Sequence, residues 1–219
     1  MHQNSSKKNS TEYYQETIFQ WYLDNGRIFP WRENFASVYQ RILVEFLLKR
    51  TTASCVAKVY PNFVHKYSYW EKFISVSFNE LNNDLKPLGL WNQRSKQLKD
   101  FANALKQSSF KFPRSRSEIE ALPGVGLYIA NAILLFHFKQ KHPLLDSNMY
   151  RHLSRFYGFK NLNQSTFNII KVNSYKIIRV PKTIEMNWAI LDFSAGVCHF
   201  KTPKCLKCPI QEGCAYNKD

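Results

Sequence analysis

The sequence predicts an all-α fold. Apolar residues recur at helical spacing along most of the chain, and the alternation that marks half-buried strands is scarce. No internal repeat is present, which argues against a solenoid.

Residues 1–10 are polar and are expected to form a flexible arm. Over residues 11–23, Tyr14, Ile18, Phe19 and Tyr22 share a helical face, and Asp24-Asn25-Gly26 supplies the stop. Phe29-Pro30-Trp31-Arg32 is expected as an extended link. Residues 39–49, YQRILVEFLLK, make a strongly apolar helix with one carboxylate, Glu45, inside it. A further helix is predicted over 53–67, one or two short ones over 70–85, a loop over 87–91 and a helix over 93–106. Helices over 115–122 and 127–138 flank the turn Pro123-Gly124-Val125-Gly126. Helices over 147–157, 164–178 and 183–197 complete the prediction.

The chain has 219 residues, 44% of them hydrophobic, which suits one large domain or two small lobes and excludes a disordered tail. A net charge of +15 favours a polyanion, with DNA or RNA first; an anionic membrane surface or plain solubility would also use it. The N-terminus has no apolar signal segment, and no stretch reaches the roughly 18–20 apolar residues of a span. A cytoplasmic or nucleoid-associated protein with reduced thiols and no membrane partner is expected. Cys55 stands alone and is expected as a small core residue.

At the turn over 123–126, glycine brings no side chain, and a helix start leaves unpaired N–H groups at its positive dipole end. Such a turn can cradle a phosphate through backbone amides, or it can be an ordinary helix corner. Ala130, Ala132 and Ile133 then allow close packing. Asp146, in Leu144-Leu145-Asp146-Ser147-Asn148, opens a helix and is either an N-cap or a carboxylate held at a cleft edge.

Cys198, Cys205, Cys208 and Cys214 are spaced C-x6-C-x2-C-x5-C. The lone C-x2-C pair with two longer arms suits a cluster wrapped by one segment. Zinc and unligated thiols stay open on spacing alone. Lys201, Lys204 and Lys207 lie between these cysteines, in a solvated loop or a loop that meets phosphates.

LPGVGLYIANAI (residues 122–133) followed by LLDSNMYR resembles the helix-hairpin-helix and Asp motif of the endonuclease III superfamily of DNA glycosylases. The similarity runs from Phe29-Pro30-Trp31-Arg32 to Cys214. The resemblance implies two helical lobes with a base cleft between them and Asp146 at the seam. One lobe, a six-helix barrel over residues 30–140, would hold the hairpin. The other would join residues 11–29 to 141–219 and hold a 4Fe-4S cluster on Cys198, Cys205, Cys208 and Cys214. In that family the hairpin grips a DNA phosphate, often through a bound monovalent cation; by position this falls on Leu122, Pro123, Gly124, Val125 and Gly126. The motif Asp, here Asp146, is essential for cleaving the glycosidic bond. The basic loop of Lys201, Lys204 and Lys207 would contact DNA.

An enzyme that works on a duplex base must extrude it and fill the gap. The resemblance places Lys49, beside Arg50, and Leu90 at the positions of wedging residues. Their plainer roles are a helix-end cation and a loop anchor. Glu45 either faces water or lies in a dry pocket where it can serve as an acid. A Glu here is shared by adenine glycosylases and thymine mismatch glycosylases. Tyr128 stands where endonuclease III has the lysine that forms a Schiff base and cuts the strand. A phenol forms no imine, so the chain is expected to be monofunctional, with Tyr128 bonding or stacking on the extruded base, or simply packing. EFLLKRTT, GLWNQR and LPGVGLY are most similar to prokaryotic mismatch-specific thymine glycosylases, which remove T or U opposite G in double-stranded DNA.

Adenine removal is the second expectation, weakened by the absence after Cys214 of the reader domain of those enzymes and by Lys49-Arg50 where they tend to carry Gln-Gln. DSN stands where relatives usually have DAN or DGN; Ser is also small, and activity is expected to survive. A mismatch-binding module without chemistry is the alternative of another class, opposed by the presence of both Glu45 and Asp146. One DNA site needs only a monomer.

Overall fold

The computed structural model describes residues 10–161 and 163–217. The arm expected over residues 1–10 lies outside these, except for Ser10. Every regular element among the described residues is helical. The chain divides into two compact units, one spanning residues 28–140 and one joining the N-terminal segment through Arg27 to residues 141–219.

The joined unit holds α1 (Thr11–Asn25), α9 (Ser147–Phe156), α10 (Gln164–Ile177) and α11 (Thr183–Gly196). The Ser10 side chain accepts from the Tyr13 N–H and caps α1. Tyr14 and Ile18 carry α1 into a core with Met149, Leu153, Ile190 and Phe193. Past the end of α1, the Arg27 guanidinium and backbone N–H both bind the buried Asp192 carboxylate of α11, at 2.6 and 2.7 Å. Cys198, Cys208 and Cys214 pack on the edge of this core.

The contiguous unit holds α2 (Val38–Leu48), α3 (Ala53–Lys66), α4 (Lys72–Ser75), α5 (Phe78–Leu85), α6 (Trp91–Lys106), α7 (Arg116–Glu120) and α8 (Leu127–Phe136). Ser37 and Gln40 form a reciprocal capping box at the start of α2. α8 packs on α2 and on α7. Ala130 and Ala132 are fully buried there, so the small side chains do bring the backbones close.

Three expectations differ from the structure. Phe29-Pro30-Trp31-Arg32 is no extended link. Pro30 opens a 3-10 turn, Pro30–Arg32, and Trp31 is buried with its ring stacked on Phe29 at 4.7 Å. Proline's fixed φ suits a first turn, and the stacked rings hold it. The loop expected over 87–91 is mostly ordered. A 3-10 turn, Lys86–Leu88, is followed by Gly89 and Leu90 with φ of 70° and 52°, and Trp91 already begins α6. Cys55 is exposed, not a core residue. It lies on the outer side of the first turn of α3, where Val56 takes the buried position.

Candidate active site and nucleic-acid interface

α2 is buried from Ile42 to Leu47, and this includes Glu45, which is 5% exposed. A carboxylate that leaves water needs a partner. Tyr128, in the first turn of α8, supplies one: its hydroxyl donates to Glu45 Oε2 at 2.9 Å. The packing of α8 on α2 therefore turns two separate sequence candidates into a pair. Of the two settings open to Glu45, the structure gives the buried one.

The turn between α7 and α8 carries Pro123 and Gly126 exposed and Val125 buried. Gly124 has φ of 75°, which requires glycine. Gly126 differs: its backbone is extended, and a Cβ there would meet nothing within 4 Å. No neighbour in the protein demands glycine at 126, so the open space lies on the outer face of the turn. The first N–H groups of α8 have no intrahelical acceptor, because the ladder starts with the Ala130 N–H on Gly126 O. Leu122 is half-buried and anchors the turn by accepting from the Val125 N–H at 3.0 Å.

Lys49 follows the last turn of α2. Its ammonium reaches the turn as well, donating to Gly124 O at 2.7 Å and lying 5.4 Å from the Phe46 ring centre. Burial, helped by the nearby Arg94 charge, lowers its pKa. Arg50 and Leu90 are both exposed, with φ of 53° and 52°. Arg94, which the sequence did not single out, lies buried beneath both.

In the other unit Asp146 is the N-cap of α9. Oδ1 accepts from the Met149 N–H at 2.7 Å and Oδ2 from Asn148 Nδ2 at 2.9 Å. The approach to Asp146 is fixed by Asn187 of α11. That side chain accepts from the Leu144 N–H at 2.7 Å and donates to His142 O and Thr183 O. Asn187 is fully buried, and its only sequence signal is an amide inside an apolar helical run.

Cys198, Cys205, Cys208 and Cys214 are all partly buried. Burial pushes the Cys208 thiol up to about 11, and Cys214, Cys198 and Cys205 add to the push. Among the described residues no three His, Cys, Asp or Glu side chains converge as a group for a metal ion. Two arginines of α9 clasp this segment. Arg151 donates to Ser194 O and Cys198 O; Arg155 donates to His199 O, Phe200 O and the Cys198 sulfur. The helix that Asp146 caps thus also holds the cysteine segment. Both arginines were missed in the sequence, although their i,i+4 spacing on one helix face was visible. Lys201, Lys204 and Lys207 are exposed.

Residues 43–171 match the model of the HhH-GPD superfamily base excision DNA repair proteins. The chain belongs to that family. It is 34% identical over 203 residues to a thymine/uracil-DNA glycosylase of Methanothermobacter thermautotrophicus, covering 91% of each chain. It is 33% identical over 215 residues to a thymine-DNA glycosylase of Aeropyrum pernix, covering 95% of this chain and 96% of the relative. A solved thermostable thymine-DNA glycosylase superposes with a TM-score of 0.87 at 33% identity, over 97% of this chain and 98% of that one. The protein is thus a DNA glycosylase of base excision repair. No helix among its described residues is long and apolar enough to cross a membrane.

Proposed function

We propose that this glycosylase removes thymine or uracil mispaired with guanine and leaves the DNA strand intact. The hydrogen bond between Tyr128 and buried Glu45 carries the proposal. By the family resemblance, strand cleavage would use an amine where Tyr128 carries a phenol, and Glu45 would serve as the acid for the departing base. Two relatives named for thymine at 33–34% identity support the choice of base.

The hairpin turn and the lysines at 201, 204 and 207 hold the phosphate backbone without reading sequence. The open outer face at Gly126 leaves room for a phosphate, directly or through a monovalent cation. Leu90 and Arg50 probe the stack, and Lys49 holds the hairpin. As the C1′–N bond breaks, its electron pair leaves on the base and Glu45 supplies a proton to it, directly or through water. Asp146, its two oxygens fixed by N–H donors, meets the positive charge growing on the sugar. Water forms the new C1′–O bond and gives up the proton that restores Glu45.

Cys198, Cys205, Cys208 and Cys214 would hold a 4Fe-4S cluster. An all-thiol donor set on one short segment, with Cys198, Cys208 and Cys214 packed against one core, fits it. Held by these four cysteines, the cluster would order the segment that carries Lys201, Lys204 and Lys207 and would supply no step of the reaction.

The test uses duplexes bearing T:G, U:G, A:G and A opposite 8-oxoguanine, each analysed with and without alkali. Alkali-dependent breaks at T and U are expected; breaks only at A would overturn the choice of base. Breaks without alkali that borohydride traps would overturn the monofunctional assignment. Asp146→Asn is expected to lose turnover by roughly 100-fold or more while still binding DNA. Full activity in that variant would remove Asp146 from the mechanism.

A further inference from the structure

Arg94 lies in the first turn of α6 and is 4% exposed. Its guanidinium meets five oxygens from two separate segments. Nε donates to Gly89 O at 2.9 Å. Nη1 donates to Phe46 O at 2.7 Å and Leu47 O at 3.0 Å, and Nη2 to Lys49 O and Thr51 Oγ1. Thr51 in turn donates to Leu88 O at 3.0 Å. These acceptors are neutral. The end carbonyls of α2, the negative end of its dipole, take the place of a counter-ion.

A cation is a costly way to end a helix, since water or a backbone turn would also serve. The planar fork does something those cannot, because it bridges two segments at fixed angles. Each segment presents one exposed residue on left-handed backbone, Arg50 and Leu90. Such backbone is strained for residues other than glycine and lasts only where its surroundings over-determine it. Through Lys49 the same network continues to Gly124 in the hairpin.

We infer that Arg94 is a positioning residue for base extrusion. It locks the turn at residues 49–51 to the turn at residues 89–90, so that Arg50 and Leu90 meet DNA as one rigid edge. The inference rests on the proposed role of Leu90 as a wedge and deepens it.

The test compares Arg94→Gln, Arg94→Lys, Leu90→Ala and the double variant Arg94→Gln/Leu90→Ala on a T:G duplex with 2-aminopurine beside the mismatch. Extrusion is read by fluorescence and cleavage by single-turnover rate. Binding to a fully paired duplex and the urea midpoint are the structural controls. Arg94→Gln is expected to slow extrusion and cleavage about tenfold or more, with paired-duplex binding within about twofold of the parent. Arg94→Lys keeps the charge but bridges fewer acceptors, and should recover part of the loss. The Arg94 and Leu90 losses should not multiply in the double variant.

Multiplying losses, or wild-type extrusion in Arg94→Gln beside a damaged Leu90→Ala, would overturn the role of Arg94 and leave the wedge standing. Wild-type extrusion in Leu90→Ala would instead sink the wedge itself. If Arg94→Gln does not fold, Arg94→Lys decides: normal stability with normal extrusion overturns the inference, and normal stability with slowed extrusion supports it.

Discussion

A carboxylate inside an apolar helix and a phenol at the start of another gain meaning from the hydrogen bond between them. Glu45 would be a liability in α2 if it lacked a partner, because an unsatisfied buried polar group costs about 1–3 kcal/mol. Tyr128 removes that cost and keeps the carboxylate in the site. His152 shows the same logic without catalytic use. It is fully enclosed, and its Nε2 pairs with the Tyr14 hydroxyl at 2.7 Å. Burial, with the Arg151 and Arg155 charges adding to it, holds its pKa down to about 3. Above a pH of about 6.5 the imidazole is neutral in both folded and unfolded chains, so it adds no pH dependence. Below that, the unfolded chain takes up a proton that the folded chain refuses, and stability falls until about pH 3. Urea titrations at several pH values should show this fall, and His152→Gln should reduce its slope. An unchanged slope would mean that other groups set the acid limit.

At the level of the element, the two glycines of the hairpin separate two demands that the sequence merges. Gly124 satisfies the backbone, with φ of 75°. At Gly126 the φ is ordinary and the space beside it is open, so no steric demand within the protein requires glycine there. Gly124→Ala should therefore cost about 1–2 kcal/mol of stability from left-handed strain. Gly126→Ala should leave the urea midpoint unchanged yet weaken DNA binding several-fold, because the methyl group occupies the approach to the amides. A stable Gly126→Ala with undiminished DNA affinity would show that the turn is a helix corner and no more. The start of α6 carries the complementary lesson. The predicted loop over 87–91 follows Pro and Gly punctuation but not the 3-10 turn Lys86–Leu88 or the helix start at Trp91. It also misses Arg94, which fixes that loop from a helical position where an Arg would ordinarily be solvated.

For the whole molecule, a net charge of +15 makes affinity for DNA a matter of salt. Each phosphate neutralised contributes about −0.9 to the slope of log K against log salt. Replacing Lys201, Lys204 and Lys207 together by Gln should flatten that slope by up to about 2.7, about equally for matched and mismatched duplexes. Filter binding or anisotropy across a salt series measures it, and an unchanged slope would return these lysines to mere solvation. Their loop is held from α9 by Arg151 and Arg155, the helix whose first residue Asp146 caps, so loop and carboxylate share one rigid support.

The sequence by itself determined the all-helical class, the turn at 123–126, the cysteine spacing and the family. Each of these is written in local order: apolar periodicity, glycine placement, or residues a few positions apart. It also supplied Glu45, Tyr128 and Asp146 as candidates with two settings each. Only the tertiary structure paired Glu45 with Tyr128, because 83 residues separate them in the chain. It alone turned Lys49 onto the hairpin, exposed Cys55 and brought Arg94, Asn187 and Arg151 into view. These side chains act on backbone carbonyls and amides far along the chain. Backbone groups leave no mark in a sequence, so the residues that organise them become visible only when the chain is folded.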